Sequence, residues 1–248
     1  MLRLRAFGGL TLERDGLPIT GGAAQRRRLA LLALLAATAD VGTGRERLAV
    51  FLWPDVDTAH GRHSLDDALS ALRHELGTSL FVGVATLRLN PHLIASDVSE
   101  RAGALRDGDL ERAVALYAGP FLDGFGIPGT AELEHWIARE RARRHDEQVR
   151  ALEHLAIDAT SRGDVLAAVH WWSERVALDP FDSRATRRLL DAHLASGNGA
   201  EALEVARVHE TLVMREFEVT PGPEWKVAVD RLRRSLRPVH AAPPHAGD

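Results

Sequence analysis

One stretch of the chain, Thr58–Leu76, combines an apolar stripe with side chains that can hydrogen-bond or carry charge. Leucines recur there at intervals of four, three and four residues, which gathers them on one narrow face of a helix. On the helical wheel, hydrogen-bonding side chains lie opposite that face and charged ones lie on a flank. The leucines are Leu65, Leu69, Leu72 and Leu76, the opposite side holds His63, Asp67, Ser70 and His74, and the flank holds Arg62, Asp66 and Arg73. Imidazole, hydroxyl and carboxylate groups can meet DNA base edges, and guanidinium groups can bind phosphate.

The elements around this stretch follow the chain order of a winged helix-turn-helix. An apolar helix is predicted over Ala23–Ala37. A short helix follows Thr43, whose hydroxyl can cap it in a capping box completed by Glu46. Alternating apolar residues over 80–89 then predict a hairpin. In this architecture the helix before the hairpin enters the DNA major groove, and we predict that role for Thr58–Leu76.

Eight residues are the candidate DNA contacts. Arg62 and Arg73 are candidates for phosphate contacts, whereas two histidines and a serine can meet base edges. Asp67 can accept a hydrogen bond from cytosine N4. Arg45 opens the preceding helix, where backbone N–H groups point outward, and Arg88 lies on the wing. The full set is Arg45, Arg62, His63, Asp67, Ser70, Arg73, His74 and Arg88.

The second half of the chain is predicted to be helical and to repeat itself. Three residue types recur 34 positions later, with Gly in the turn between helices and Ala where helices cross closely. They are Leu155, Gly163 and Ala168, then Leu189, Gly197 and Ala202. This period is typical of tetratricopeptide repeats, which stack helix pairs into protein-binding surfaces. We therefore predict a mainly α protein with a winged helix-turn-helix containing β-hairpins over 1–96, an all-α tetratricopeptide-like domain over 97–237 and a disordered tail over 238–248.

Composition and charge restrict the function classes. The 248 residues are 45% apolar and 27% charged, with no cysteine and no apolar run long enough to span a membrane. We therefore expect a cytoplasmic protein without disulfides or thiolate metal sites. Residues 1–96 hold 11 arginines against 9 acidic residues, whereas residues 97–248 hold 20 basic against 26 acidic residues. Since no phosphate loop, nucleophile elbow or acid–base constellation is present, we predict neither an enzyme nor a bound cofactor.

Other charged and aromatic groups have simpler interpretations. The basic run Arg26–Arg28 indicates a solvated helix start, with phosphate contact as the alternative. His60 and His63 have a metal-ligand spacing, but no third ligand is arranged beside them, so no metal is predicted. The arginines over 139–144 are interleaved with glutamate, which indicates a solvated helix face, with contact to polymerase or to the other domain as the alternative. Four tryptophans are expected in the core: Trp136, Trp171, Trp172 and Trp225.

An N-terminal strand pair and four motifs resemble the Streptomyces antibiotic regulatory protein family. The motifs are QRRRLALLALLA, RERLAVFLWPD, SLDDALSALRHEL, and TLRLNP followed by SDVSE. The resemblance implies a winged helix of the response-regulator type joined to a bacterial transcriptional activation domain. It also implies binding of double-stranded DNA at direct repeats near a promoter, self-association there and recruitment of RNA polymerase. Family members often carry basic or amide groups where Asp66 and Ala71 stand here, and we expect Arg62, four residues before it, to neutralise Asp66.

A second function class stays open from the residues alone. The acidic character of Asp66 and Asp67, and the small positive charge of residues 1–96, also fit a protein-interaction adaptor whose winged helix no longer binds DNA. A gel-shift series against salt separates the two classes. A specific regulator keeps a preferred sequence while log K falls with log salt, whereas an adaptor shows neither behaviour.

Overall fold

The chain, seen in a computed structural model, is mainly helical with a small β region near the N-terminus, as the sequence predicted. The structure describes residues 1–77 and 80–236. Contacts divide the chain into two compact units, Met1–Ala151 and Leu152–Asp248. The predicted tail over 238–248 lies outside the described residues.

Seven short strands lie in the described part of the first unit. They are β1 (Leu2–Arg5), β2 (Thr11–Arg14), β3 (Leu17–Pro18), β4 (Thr43–Gly44), β5 (Phe81–Val82), β6 (Thr86–Leu89) and β7 (Ile94–Ser96). One sheet has the order β3-β2-β1-β7 and is antiparallel except for the parallel pair of β1 with β7, in which Leu4 faces Ser96. The second sheet is antiparallel, has the order β4-β6-β5 and contains the hairpin predicted as the wing.

Ten α-helices make up most of the described chain. They are α1 (Arg26–Ala37), α2 (Arg45–Leu52), α3 (Thr58–Leu76), α4 (Asp97–Asp107), α5 (Leu110–Ala115), α6 (Ala131–Ser161), α7 (Val165–Leu178), α8 (Ser183–Ala195), α9 (Gly199–Phe217) and α10 (Pro223–Ser235). The bounds of α3 are those predicted for the recognition helix. The apolar helix α1 begins three residues later than predicted, because the segment before it forms a 3-10 turn over Gly22–Ala24.

The interior of the first unit is built around α1 and the leucine stripe of α3. Every residue of α1 from Leu29 to Ala36 is buried, as its apolar composition requires. The four leucines of the stripe are only 0% to 6% exposed. Burying one leucine side chain stabilises a fold by about 1.5–3 kcal/mol. Turning α3 about its axis would expose the four leucines and lose this energy, so the stripe fixes which side of α3 faces outward.

Local signals at both ends set the length of α3. The carboxylate of Asp57 caps the N-terminus and accepts backbone hydrogen bonds from Ala59 at 2.9 Å and His60 at 3.0 Å. The pKa of Asp57 is lowered, mainly by the hydrogen bond from the His60 backbone. At the other end Gly77 adopts φ 70°, the left-handed conformation that favours glycine and ends helices.

The start of α2 differs from the predicted capping box. Thr43 pairs with Leu87 in the second sheet, and its hydroxyl lies 2.7 Å from the hydroxyl of Thr38. The helix begins at Arg45, with Gly44 at the N-cap and no side-chain cap. The prediction was wrong because strand pairing, a contact between residues distant in sequence, draws Thr43 out of the capping position.

Residues beyond the predicted domain boundary share a core with the N-terminal strands. The buried carboxylate of Asp97 accepts backbone hydrogen bonds from Ala6 at 2.9 Å, Phe7 at 3.1 Å and Val98 at 2.7 Å. Burial raises the pKa of Asp97, although these hydrogen bonds act in the opposite direction. The contacts therefore group residues 97–151 with the first unit, whereas the sequence predicted a domain boundary directly before Asp97.

Two arginines of the first unit are buried. Arg144 is 3% exposed, and its guanidinium lies 4.8 Å from the ring centroid of Phe121. Burial lowers the pKa of Arg144 to about 10. Arg101 donates to Glu147 at 2.9 Å and to Gln148 at 3.2 Å. The predicted solvated face is therefore wrong for Arg144, because an aromatic residue from the segment before α6 covers it.

The second unit contains the helix pairs that the 34-residue period predicted. Gly163 and Gly197 stand in equivalent turns with φ 72° and 79°, where the left-handed conformation favours glycine. Ala168 and Ala202 are buried in the helical interior, with exposed fractions of 3% and 0%. The small residues therefore occupy the close-packed positions that a tetratricopeptide-like domain requires.

The tryptophans are largely core residues, as expected. Trp136, Trp172 and Trp225 are buried, and Trp171 is half-buried. Within residues 1–77 and 80–236, each helix is too short or too polar to cross a lipid bilayer.

Candidate nucleic-acid interface

The polar side of α3 is exposed along about three helical turns. The side chains of His63 and Asp67 are 77% and 69% exposed, with His63 Nε2 3.5 Å from Asp67 Oδ2. Ser70, Arg73 and His74 are exposed as well. The structure therefore brings these five predicted residues together on the side of α3 opposite the buried leucines. Hydrogen-bonding groups on a helix fixed by its other face are the arrangement that reads DNA bases in a helix-turn-helix.

Two ion pairs connect α3 with the first turn of α2. Arg45 pairs with Asp66, and Arg62 pairs with Glu46. The expectation that Arg62 neutralises Asp66 is therefore wrong, because α2 packs beside α3 and offers each charge a partner from the other helix. All four side chains are at least 31% exposed, and pairs this exposed contribute little to stability. Two of the four candidate phosphate ligands, Arg45 and Arg62, are thus engaged by carboxylates.

The wing is joined to the start of α2 through β4. The Arg45 N–H donates to the carbonyl of Ala85 at 3.1 Å, so this N–H at the helix start does not point outward as the sequence suggested. Arg88 is exposed on β6 and donates to the carbonyl of Val41 at 3.2 Å. Gly42 allows this approach, because a Cβ there would lie 2.8 Å from the backbone oxygen of Leu87. Arg88 therefore lies beside the Val41–Gly42 segment between α1 and β4.

The basic run at the start of α1 bonds to the protein itself. Arg26 donates to the carbonyl of Gly126 at 2.9 Å, and Arg27 donates to the carbonyl of Leu52 at the same distance. Arg28 pairs with Glu75 at 2.7 Å. Arg26 and Arg27 are exposed, as a solvated helix start requires, and these contacts add a structural role that was not predicted.

Two charged residues at this surface, Arg47 and Glu46, were not predicted from the sequence to lie there. Arg47 is exposed in the first turn of α2, with its guanidinium 5.2 Å from the ring centroid of Phe51. Its position two residues after Arg45 in the motif RERL was the available signal. Glu46 was considered only as part of a helix cap, whereas the structure uses it to hold Arg62.

The histidine pair at the start of α3 has other partners. The ring of His60 contacts the N-cap carboxylate of Asp57, with Nδ1 and Oδ2 2.8 Å apart. Among the described residues, no group of three or more His, Cys, Asp or Glu side chains is arranged to hold a metal ion.

Comparison with known proteins identifies the second half of the chain. Residues 92–233 match the bacterial transcriptional activator domain, a region longer than half of the chain. The chain belongs to that family. The match begins two residues before β7, the last strand of the N-terminal sheet, and ends in α10. No curated protein sequence matches the chain.

A solved structure has the same fold. It is Mycobacterium tuberculosis EmbR in complex with a low-affinity phosphopeptide, with a TM-score of 0.60 and 20% sequence identity. The alignment covers 94% of this chain and 65% of EmbR, so this chain spans less than two thirds of that protein. The likeness extends over both units of the chain, and it concerns the fold alone.

Proposed function

We propose that this transcriptional activator domain protein is a DNA-binding regulator of the Streptomyces antibiotic regulatory protein type. It acts in the bacterial cytoplasm, binds direct repeats near promoters and recruits RNA polymerase. The observation that carries the proposal is α3, whose buried leucines hold a row of exposed polar side chains outward, with a β-hairpin as the next element of the chain. This is the geometry by which a winged helix reads the major groove.

The exposed residues divide into two kinds of DNA contact. Ser70, His63 and His74 present hydrogen-bonding groups that match base edges, and Asp67 accepts from cytosine N4. Arg73 near the end of α3 supplies charge for the phosphate backbone. Arg45, Arg62 and Arg88 supply further phosphate contacts, which the carboxylates of Asp66 and Glu46 weaken at Arg45 and Arg62.

Two substitutions on α3 test the proposal. Selection of binding sequences from a random DNA pool first defines the preferred site. Arg73→Ala should then weaken binding to all sequences about equally, by roughly tenfold, because a lost phosphate contact carries no sequence information. Ser70→Ala should change the preference at one base position, because a base contact costs about 1–3 kcal/mol of discrimination.

A matched control lies on the second unit, where Arg207→Ala removes an exposed charge from α9. This variant should bind DNA like the parent chain. Unchanged affinity and preference in both α3 variants would remove this helix from the interface.

The helical unit is proposed to contact RNA polymerase. The family match over residues 92–233 supports this assignment, and the repeat architecture supplies extended surfaces for a protein partner. Transcription in vitro on a template carrying the selected repeats should rise when the intact chain is added to purified polymerase holoenzyme. A template with one repeat should bind the chain less tightly than one with two, because neighbouring copies assist each other on DNA.

A protein-interaction adaptor is the second candidate. Glu46, Asp66 and Asp67 place three carboxylates at the surface that would face DNA, and two of them engage arginines. An adaptor would show neither sequence preference nor a steep fall of affinity with salt, whereas the regulator shows both.

A further inference from the structure

A groove in the second unit runs between the end of α6 and α8. Two adjoining cavities of about 480 and 170 Å³ share Ile157, Trp172 and Arg188 in their linings. The larger cavity also includes Ala168 and Ala192, whose small side chains leave depth for side chains of another molecule. Its volume lies within the range of roughly 300–1,000 Å³ that is usual for ligand sites.

The apolar part of the groove has an exposed edge. Ile157 on α6 is 57% exposed, and the apolar part of the lining also includes Val165, Ala168 and Trp172. Trp172, at the floor of the groove, is buried and only 5% exposed. A groove between two helices, with one exposed aliphatic side chain at its edge, is suited to the apolar face of a third helix.

The charges at the groove favour an acidic partner. Arg184 and Arg188 stand one helical turn apart on α8, and both are exposed. Among the described residues Arg188 has no ion pair, and Arg184 lies 3.9 Å from Glu153. Glu153 is already engaged at 3.3 Å by Arg175, which is buried. Asp191, the remaining carboxylate of the lining, follows Arg188 by one turn and so lies on the side of Arg188 away from Arg184. The end of the groove at Arg184 therefore presents two guanidinium groups.

We propose that this groove binds a short amphipathic helix with acidic residues beside its apolar face, presented by a partner protein. The apolar face packs on Ile157 and over Trp172. Carboxylates one turn apart on the partner accept charge-assisted hydrogen bonds from Arg184 and Arg188, in the fork geometry that arginine offers. This proposal rests on the protein-binding role proposed for the helices of the second unit, and it does not involve DNA.

The test uses the intact chain and two fluorescent peptides. One is an acetylated helical peptide with leucine at positions i, i+3, i+4 and i+7 and glutamate at the other positions; the second has lysine in place of each glutamate. Fluorescence anisotropy should show saturable binding of the acidic peptide with a Kd in the micromolar range and none of the lysine peptide. Arg188→Glu and Ile157→Asp should each weaken the binding by about tenfold.

Controls separate binding from folding and from the DNA site. Arg207→Glu, on the exposed side of α9, should bind the peptide like the parent chain, and thermal unfolding by circular dichroism should show that all variants are folded. Arg188→Glu should keep its DNA affinity. No saturable binding of the acidic peptide, equal binding by Arg188→Glu, or equal binding of the lysine peptide would each overturn the groove site, while DNA binding by the same samples would leave the proposed function intact.

Discussion

Two carboxylates hold two of the arginines that we propose as phosphate contacts. Glu46 engages Arg62 and Asp66 engages Arg45, all on exposed surfaces. Glu46→Gln and Asp66→Asn should therefore each raise DNA affinity, by about fivefold at low salt, because a freed guanidinium neutralises one more phosphate. The slope of log K against log salt should steepen by about 0.9 for each substitution, measured by fluorescence anisotropy.

The matched control for these substitutions is Glu204→Gln in the second unit. Glu204 also pairs with an arginine, Arg207, but on α9. This variant should leave both affinity and salt slope unchanged. If Glu46→Gln and Asp66→Asn behave like the control, the first turn of α2 does not approach DNA.

A buried histidine is expected to make the second unit sensitive to acid. His209 Nε2 lies 2.7 Å from the hydroxyl of Ser183, and its Nδ1–H donates to the carbonyl of Pro180 at 3.0 Å. Burial lowers the pKa of His209, although Glu210 and Asp182 act in the opposite direction. Above about pH 6.5 the ring is neutral in both the folded and the unfolded chain. Below about pH 6.5 the unfolded chain binds a proton that the folded chain does not yet bind, so the free energy of unfolding falls. The fall ends once the pH is below the lowered pKa of His209 in the folded chain.

The expected result is a loss of Tm between about pH 7.5 and 5.5 that is larger in the parent chain than in His209→Gln. Glutamine keeps a donor and an acceptor but does not titrate. Differential scanning calorimetry of both proteins at several pH values gives the comparison. An equal loss in both would assign the acid sensitivity to other groups.

At the scale of elements, the leucine stripe decides whether α3 can present its polar side. Leu72 is 0% exposed, so Leu72→Ala should lower the free energy of unfolding by about 2–5 kcal/mol through the lost contacts and the cavity left behind. Ser70→Ala, on the exposed side of the same helix, should change it by less than about 0.5 kcal/mol. Urea unfolding measures both, and a comparable loss from both variants would contradict the assigned orientation of α3.

The sequence predicted α3 well because every signal that defines it is local. The leucine spacing, the cap at Asp57 and the left-handed Gly77 all lie within or beside the helix. The errors have a different origin: Thr43 is drawn into a strand by Leu87, and Asp66 finds Arg45 on another helix. Contacts between residues distant in sequence leave no periodic pattern, so they could not be predicted from spacing.

At the scale of the whole molecule, one buried carboxylate, which sequence periodicity could not assign, connects α4 with the N-terminal strands of the first unit. Asp97 opens α4 and accepts hydrogen bonds from the backbone after β1. Asp97→Ala should lower the free energy of unfolding of the first unit by about 2–3 kcal/mol, because buried N–H groups lose a charged acceptor. Asp107→Ala, at the exposed end of the same helix, should change it by less than about 0.5 kcal/mol. Urea titration followed by fluorescence measures the two, and equal effects would show that Asp97 does not join the strands to α4.

The placement of α3 in the major groove is tested most directly by cleaving DNA from the helix itself. The chain has no cysteine, so Ser70→Cys supplies a single thiol for an iron–EDTA label, and Thr211→Cys on α9 supplies a matched control at an exposed position. On DNA carrying the selected repeats, the label at position 70 should cut within each repeat at positions that face the major groove, and the label at position 211 should not. Cleavage without sequence preference, or equal cleavage from both labels, would contradict the account.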